Sequence, residues 1–403
     1  MEGYKVFLST VIAVYIVLPF RGDTKLMVEP DFVSSWYYMK AQAGTKTTLV
    51  SIEHGLGETP LLVDVQVRDE HDVVFPGSGC RARDDDQPEG YGGIIYIYND
   101  VYIEISSPIQ SDGHIGRCVY TGQLPYWNGP YDLDSYFAHV RARAWKKSSL
   151  PPADFVKTGQ FISAAQDNYF EESHGLGDYP SLVISRTKFP SSTETYPDYY
   201  SDSVGSSLGM YDSNSTQNAF VVYGFSNETI RVWAPTSEAD YVFAGIDGWN
   251  FDAVKNGTLE LYAWRNSSLT TSSTYQTTFP LGLNLRIRKI DINRSFVKAW
   301  VQATSGVNSG FRFVGNGNSA YDEVKTAAGC SYGGLVYAYD NYDIYCWQPG
   351  PGSGTSNGAL ICIANGMGGG KNVQASNDGV IVAHLWDLAL SRIYCQRDKE
   401  SND

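Results

Sequence analysis

Charged side chains are scarce in this sequence. Asp, Glu, Lys and Arg account for 18% of its residues, whereas Phe, Trp and Tyr reach 14%. No stretch shows the sustained three-to-four-residue apolar period of an amphipathic helix, which argues against long helices. A chain rich in Tyr and Gly and poor in charge is instead typical of β-sheet proteins with many turns.

Positive charge is especially low. The chain carries 30 Lys and Arg against 44 Asp and Glu, a formal net charge of -14. Such an acidic surface disfavours nucleic acid and anionic membranes as partners and attracts cations loosely.

The densest acidic segment is Asp84, Asp85 and Asp86. Its carboxylates suit calcium, but the segment lacks the spaced pattern of a preorganised calcium loop. Arg81 and Arg83 also offset its charge. A solvated loop is therefore the favoured interpretation, and a calcium site is the alternative.

No set of residues forms a recognisable catalytic group. Residues 205–209 match the pattern G-x-S-x-G around Ser207, but they lie in a Ser-, Tyr- and Asp-rich loop with only His384 downstream as a base. His54 and His174 recur without a repeated carboxylate or Cys partner, so we interpret each ring as hydrogen-bonding the backbone of a turn. We expect a protein that is not an enzyme and needs no cofactor, calcium excepted.

One apolar run has a length that suggests targeting. Val6–Phe20 follows Lys5 and precedes Arg21, which is the length and polarity of a secretory signal and is too short for a confident membrane span. We expect residues 1–22 to be a signal peptide. The mature protein should then be secreted and extracellular, without a membrane span.

A three-part strand pattern recurs along the chain. A strand with Tyr at its second position is followed by a strand that ends near Pro, and a later strand closes the unit at Trp. The three occurrences are 95–108 closing at Trp145, 222–235 closing at Trp264, and 336–349 closing at Trp386. A His-Gly-Leu-Gly turn also occurs twice, at His54 and His174.

Fixed-order self-similarity of this kind indicates tandem copies of one domain. Short turns such as Asn99-Asp100 and Asp340-Asn341 join the strands, and no crossover helix is predicted, which favours antiparallel sandwiches. We predict an all-β protein of three tandem antiparallel β-sandwich domains, residues 25–148, 149–267 and 268–396. The third copy has diverged, since it lacks the His-Gly-Leu-Gly turn. A Ser/Thr-rich linker before it suggests a rod of separate domains.

Six cysteines and five glycosylation sequons fit an extracellular protein. Their distribution suggests disulfides within copies, although the sequence alone does not fix the pairing. A zinc site is the alternative, but no C-x-x-C spacing supports it. The expected pairs are Cys80–Cys118, Cys330–Cys362 and Cys346–Cys395. The sequons are Asn214, Asn227, Asn256, Asn266 and Asn293.

The closing tryptophans are candidate ligand-binding residues. Trp145, Trp264 and Trp386 alternate in phase with polar or aromatic side chains such as Arg143 and His384. Exposed aromatic rings beside polar groups hold sugar rings. Packing of each Trp beneath the connecting segment is the favoured alternative, because the same Ser-Ser-Leu sequence follows Trp145 and Trp264.

In its overall features the chain resembles the uncharacterised secreted proteins of the skeletal organic matrix of stony corals. The features are the signal segment, the acidic balance, the sequons and the Tyr-rich tandem sandwiches such as 91–108. This resemblance implies deposition in a calcified extracellular matrix. We therefore expect a structural or adhesive matrix protein whose partners are matrix components, glycans or a mineral surface; a soluble lectin is the alternative.

Overall fold

Strands form nearly all the regular structure, as the composition predicts. The computed structural model describes residues 27–42, 47–78, 91–109, 116–122, 124, 126–191, 195, 197–207, 210–212, 215–245, 249–278, 284–286, 290–318, 330, 332–350 and 358–388. Within these ranges the all-β class is confirmed, and the only helical element is a 3-10 turn at Gly368–Gly370.

The strands of copy 1 are β1 (Phe32–Val33), β2 (Tyr37–Lys40), β3 (Leu49–Glu53), β4 (Leu62–Arg68), β5 (Val74–Pro76), β6 (Tyr91–Gly92), β7 (Ile95–Tyr98), β8 (Tyr102–Ser106), β9 (Gly116–Arg117), β10 (Val119–Tyr120), β11 (Trp127–Asn128), β12 (Asp134–Ser135) and β13 (Phe137–Trp145). Those of copy 2 are β14 (Phe155–Ser163), β15 (Tyr169–Ser173), β16 (Leu182–Lys188), β17 (Tyr200–Asp202), β18 (Met210–Asp212), β19 (Ser215–Gln217), β20 (Val222–Phe225), β21 (Thr229–Trp233), β22 (Phe243–Ala244), β23 (Ala253–Val254) and β24 (Asn256–Trp264). Those of copy 3 are β25 (Ser273–Thr278), β26 (Asn284–Arg286), β27 (Ser295–Ala303), β28 (Arg312–Val314), β29 (Tyr332–Gly333), β30 (Val336–Tyr339), β31 (Asp343–Pro349), β32 (Gly358–Ala359), β33 (Ile361–Ile363), β34 (Gln374–Ser376) and β35 (Gly379–Asp387).

Each of the three large sheets takes strands from two copies. The first contains β1, β2, β13, β4 and β5 of copy 1 with β30, β31 and β26 of copy 3, and β11. The second continues from β14, β24, β16 and β17 of copy 2 into β7, β8 and β3 of copy 1. The third continues from β25, β35, β27 and β28 of copy 3 into β20, β21 and β15 of copy 2. The copies therefore form a closed ring, in which each lends its hairpin to the next.

The expected rod of separate domains is wrong for this reason. Copies 1 and 3 are the most distant in sequence, yet Tyr339 pairs with Val74 across their junction. The two large hydrophobic clusters also draw on all three copies. The strand order repeats as predicted, but every large sheet crosses the predicted domain boundaries.

Both faces of β4 are buried, because closure of the ring covers the face that would otherwise be exposed. The alternation from Val63 to Arg68 predicts one buried and one exposed face, but Asp64 and Gln66 are buried as well. Copy 3 covers the polar face: Arg143 bonds the Asp64 carboxylate at 2.9 Å and the Ser295 carbonyl at 2.8 Å. Polar side chains on this face therefore serve contacts between copies.

The two His-Gly-Leu-Gly turns share one hydrogen-bond pattern. His54 Nδ1 accepts from the Leu56 N–H at 3.2 Å, so Nε2 carries the proton that it donates to the Asn99 carbonyl at 3.1 Å. His174 makes the same two kinds of bond in copy 2. The interpretation of both rings as backbone-bonding turn residues is confirmed, and burial lowers the pKa of each.

One predicted disulfide is present. Cys330 and Cys362 are bonded within copy 3, which confirms that pair. Cys118 and Cys346 are buried and form no disulfide with another described residue, and burial raises the pKa of each thiol to about 12. Their expected partners, Cys80 and Cys395, lie outside the described residues, so those two pairs stay predictions.

Candidate functional site

The closing tryptophans are buried, in keeping with the favoured interpretation that each one packs within the protein, and they are not exposed ligand-binding residues. Trp145, Trp264 and Trp386 are each 0% exposed and belong to one hydrophobic cluster. Trp145 donates from Nε1 to the Val28 carbonyl at 2.8 Å, and Trp264 donates to the Pro151 carbonyl at 2.7 Å. Trp145 and Trp264 therefore anchor the chain that enters copies 1 and 2, and none of the three tryptophans presents its ring to a ligand.

Packing between copies is the physical reason. Strand alternation does place Trp145 on the same sheet face as Arg141, as the sequence indicates. Copy 3 covers that end of the face, with the Phe296 ring 5.8 Å from Trp145 and 5.3 Å from Trp386. The face is open only further along β13, beyond Arg141.

The other sequence candidates form no site in the described residues. Asp84, Asp85 and Asp86 lie outside those residues, and the described part holds no group of three or more metal-ligating side chains. Ser207 is buried, and its hydroxyl accepts from the Ala364 N–H at 3.1 Å. It therefore serves a backbone contact within the packed interior.

The sequons take different positions. Asn227, Asn266 and Asn293 are exposed, and Asn256 is half-buried at the start of β24. Asn214 lies outside the described residues. Glycosylation of these residues stays a prediction.

A further face of copy 1, absent from the sequence-based candidates, brings aromatic and polar side chains together at the surface. We call it the Trp36 face, and it consists of Trp36, Tyr38, Arg68, Phe137, His139 and Arg141. It lies on the sheet of copy 1, on β2, β13 and β4.

A β-bulge creates this face. Val33 lies opposite Arg143 and Tyr37 opposite Val140, so β13 faces one more residue than regular pairing allows. Bulges re-aim side chains. Here the extra residue turns the Trp36 ring over β13, with Arg141 Cζ 4.5 Å and Arg68 Cζ 4.4 Å from the ring centroid.

Aromatic side chains continue the face toward the edge of the sheet. His139 lies opposite both Tyr38 and Arg68, which places the three side chains in one row on one face. The Tyr38 ring is 47% exposed and stacks on Phe137 at 6.1 Å. His139 meets its edge at 5.7 Å. The exposed Tyr38 ring and the half-buried Phe137 and His139 rings thus lie beside hydrogen-bond donors.

The same positions carry other chemistry in copies 2 and 3. Counting back from the closing Trp, Arg141 corresponds to Glu260 and Val382. Glu260 pairs with Arg186 at 2.8 Å, while Val382 lies opposite Trp300. Gly159 takes the place of Trp36 at the bulge of copy 2, and β25 pairs with β35 without a register shift. The Trp36 face is therefore particular to copy 1.

A cavity of about 50 Å³ lies where the three copies meet. Beside it the buried Asp202 carboxylate accepts from the Tyr96 hydroxyl at 2.7 Å and the Tyr98 hydroxyl at 2.8 Å. Lys298 of copy 3 lines the same cavity. The volume suits a few water molecules, and the polar groups chiefly bond one copy to the next.

A comparison of the aligned copies would have indicated the Trp36 face from sequence. The aromatic Trp36 corresponds to Gly159 of the middle copy, and the basic Arg141 corresponds to the acidic Glu260. The bulge itself had no recognisable signal, because no Gly marks it in copy 1.

No helix in the described part of the chain is long and apolar enough to cross a membrane. Comparison of the sequence with models of known protein families and with curated proteins gives no match.

Proposed function

We propose that this protein is a secreted, non-enzymatic adhesive protein of an extracellular matrix, and that its Trp36 face binds carbohydrate. The observation that carries the proposal is the exposed Tyr38 ring, which stacks on Phe137 beside the His139 ring. Sugar rings stack on such aromatic faces while their hydroxyls bond neighbouring polar groups.

The scaffold supports an adhesive role. Sites built on strands that are fixed by neighbouring elements hold their geometry better than sites on loops. The strand β13 that carries Phe137, His139 and Arg141 is paired on both sides, with β1 and β2 on one and β4 on the other. The acidic balance, with its loose attraction of cations, also supports deposition in a calcified matrix.

A purely structural role is the second candidate. It is favoured by the shared sheets and by the Cys330–Cys362 bond, which suit a building block that needs no ligand. Localisation of the native protein by antibody bears on both roles, and a purely intracellular or membrane-integral pool would refute them together.

A glycan array probed with the full-length secreted protein separates the two roles. We expect binding that falls at least tenfold in Tyr38→Ala, because the stacking ring is lost. Phe161→Ala is the matched control: Phe161 occupies the Tyr38 position of copy 2 and is similarly exposed, at 49%. Absence of binding to any glycan, or equal loss in both variants, would leave the structural role.

A further inference from the structure

Arg141 carries a positive charge that forms no ion pair with a carboxylate in the described part of the chain. Its guanidinium donates to Gln66 Oε1 at 2.5 Å, to Asn293 Oδ1 at 2.9 Å and to the Ile292 carbonyl at 3.1 Å. All three acceptors are neutral, and no ion pair to Arg141 forms among the residues that the structure describes. The side chain is nonetheless only 7% exposed.

Nearby groups offset this charge only in part. Burial, and then the charge of Arg143, lower the pKa of Arg141, while Tyr339 and Asp64 raise it, and the net shift is downward. The closest buried carboxylate, Asp64, is already paired with Arg143 at 2.8 Å. Buried cations are normally paired with an anion, because desolvation of an unpaired charge is costly.

Arg68 adds a second, more accessible cation. Its only ion pair in the described chain is to Asp72 at 3.6 Å, and the Asp72 side chain is 85% exposed. Such a pair contributes little and exchanges easily for another anion. Both guanidinium groups lie against the Trp36 ring, so two positive charges share one small surface.

We propose that the ligand of the Trp36 face is an acidic saccharide whose carboxylate or sulfate group is bound at Arg68, beside the buried charge of Arg141. This inference rests on the proposed function, since it names the ligand class of the same site. Guanidinium groups form strong bidentate bonds to both kinds of anion. The sugar ring then stacks on Tyr38, and the anion supplies a counter-charge that the described residues do not place there.

Titration calorimetry with three tetrasaccharides tests the inference. The probes are a hyaluronan tetrasaccharide for carboxylate, a heparin-derived tetrasaccharide for sulfate, and chitotetraose as the neutral ligand. We expect at least one acidic probe to bind tenfold or more tighter than chitotetraose, with an affinity that falls as salt is raised. The preferred acidic probe identifies the anion.

Charge variants locate the anion. Arg68→Gln should lower the affinity for the acidic probe about tenfold, because a charge-assisted hydrogen bond is lost. Lys188→Gln is the matched control, as Lys188 lies at the Arg68 position of copy 2 and is similarly half-exposed. It should leave the affinity unchanged. Arg68 is partly exposed, so its variant should fold even where substitution of the buried Arg141 does not.

The outcomes separate this inference from the proposed function. Equal binding of chitotetraose and the acidic probes, still dependent on Tyr38, would overturn the acidic ligand and leave carbohydrate binding intact. Equal weakening by Arg68→Gln and Lys188→Gln would also overturn it. No binding of any probe would refute the carbohydrate function itself.

Discussion

The indole N–H groups of the closing tryptophans differ between copies. Trp145 and Trp264 donate to backbone carbonyls, whereas Trp386 Nε1 is buried without a partner in the described structure. We predict that Trp→Phe lowers the free energy of unfolding by about 1 kcal/mol more at Trp145 or Trp264 than at Trp386, because a buried carbonyl loses its hydrogen-bond donor at the first two sites. Denaturant unfolding of the three variants measures this, and equal losses would contradict it.

Asn293 offers a way to supply the counter-charge of Arg141 from within the chain. Its Oδ1 already lies 2.9 Å from the guanidinium, so Asn293→Asp places a carboxylate there. We predict that the variant is stabilised by about 1 kcal/mol and binds the acidic probe more weakly. Thermal unfolding and calorimetry check both effects. The exposed Asn227→Asp is the control, and an Asn293→Asp variant with unchanged affinity would contradict the prediction.

His384 should make stability depend on pH. Burial, and then the charge of Arg312, lower its pKa to about 4, while its Nδ1 lies 3.0 Å from the Ser181 carbonyl. The pKa of His384 in the folded protein lies below its unfolded value of about 6.5. Its contribution to the free energy of unfolding is therefore fully present above about pH 6.5 and is lost as the pH falls toward 4. The loss should reach roughly 3 kcal/mol.

Substitution of His384 isolates this effect from the carboxylates. Copy 2 has Tyr262 at the same position, so His384→Phe keeps an aromatic ring there. Denaturant unfolding from pH 7.5 to 4.5 should show the stability of the native protein converging on that of the variant as the pH falls. A constant difference across the range would refute the role of His384.

At the scale of elements, one carboxylate joins two copies. Asp202 ends β17 and accepts from Tyr96 and Tyr98 of β7, next to the short pairing of Tyr200 with Tyr98. We predict that Asp202→Asn destabilises the protein by about 1–3 kcal/mol, because an amide cannot accept from both hydroxyls with the same oxygens. Chemical unfolding of Asp202→Asn against Asp198→Asn tests this. Asp198 is exposed and should change stability by less than about 0.5 kcal/mol.

Strand identity and hairpin turns could be predicted from the sequence because they depend on local chemistry. Asn99 Oδ1 accepts from the Val101 and Tyr102 N–H groups, as expected of an Asn that turns a hairpin. Side-chain exposure could not be predicted in the same way. Trp145 and Asp64 lie on a face that alternation marks as open, and only contact with copy 3 buries it.

For the whole molecule, shared sheets predict one unfolding transition. The Cys330–Cys362 bond closes a loop with a sequence separation of 32 and should contribute about 3–4 kcal/mol. Its reduction should lower the temperature of the single transition without releasing copy 3 alone, because copy 3 completes two of the sheets. Calorimetry with and without reductant measures this. Separate transitions, or a stable isolated fragment 150–268, would contradict the ring.

The pairing between copies 3 and 1 also sets an order on biosynthesis. Gln66 bonds Tyr339 across 273 positions, so β5 remains an unpaired sheet edge until the last third of the chain has left the ribosome. Such an edge is prone to pair with other chains. The sheet of copy 1 therefore stays incomplete until copy 3 has been translated. The yield of folded protein should then depend on chaperones that cover strand edges during translation.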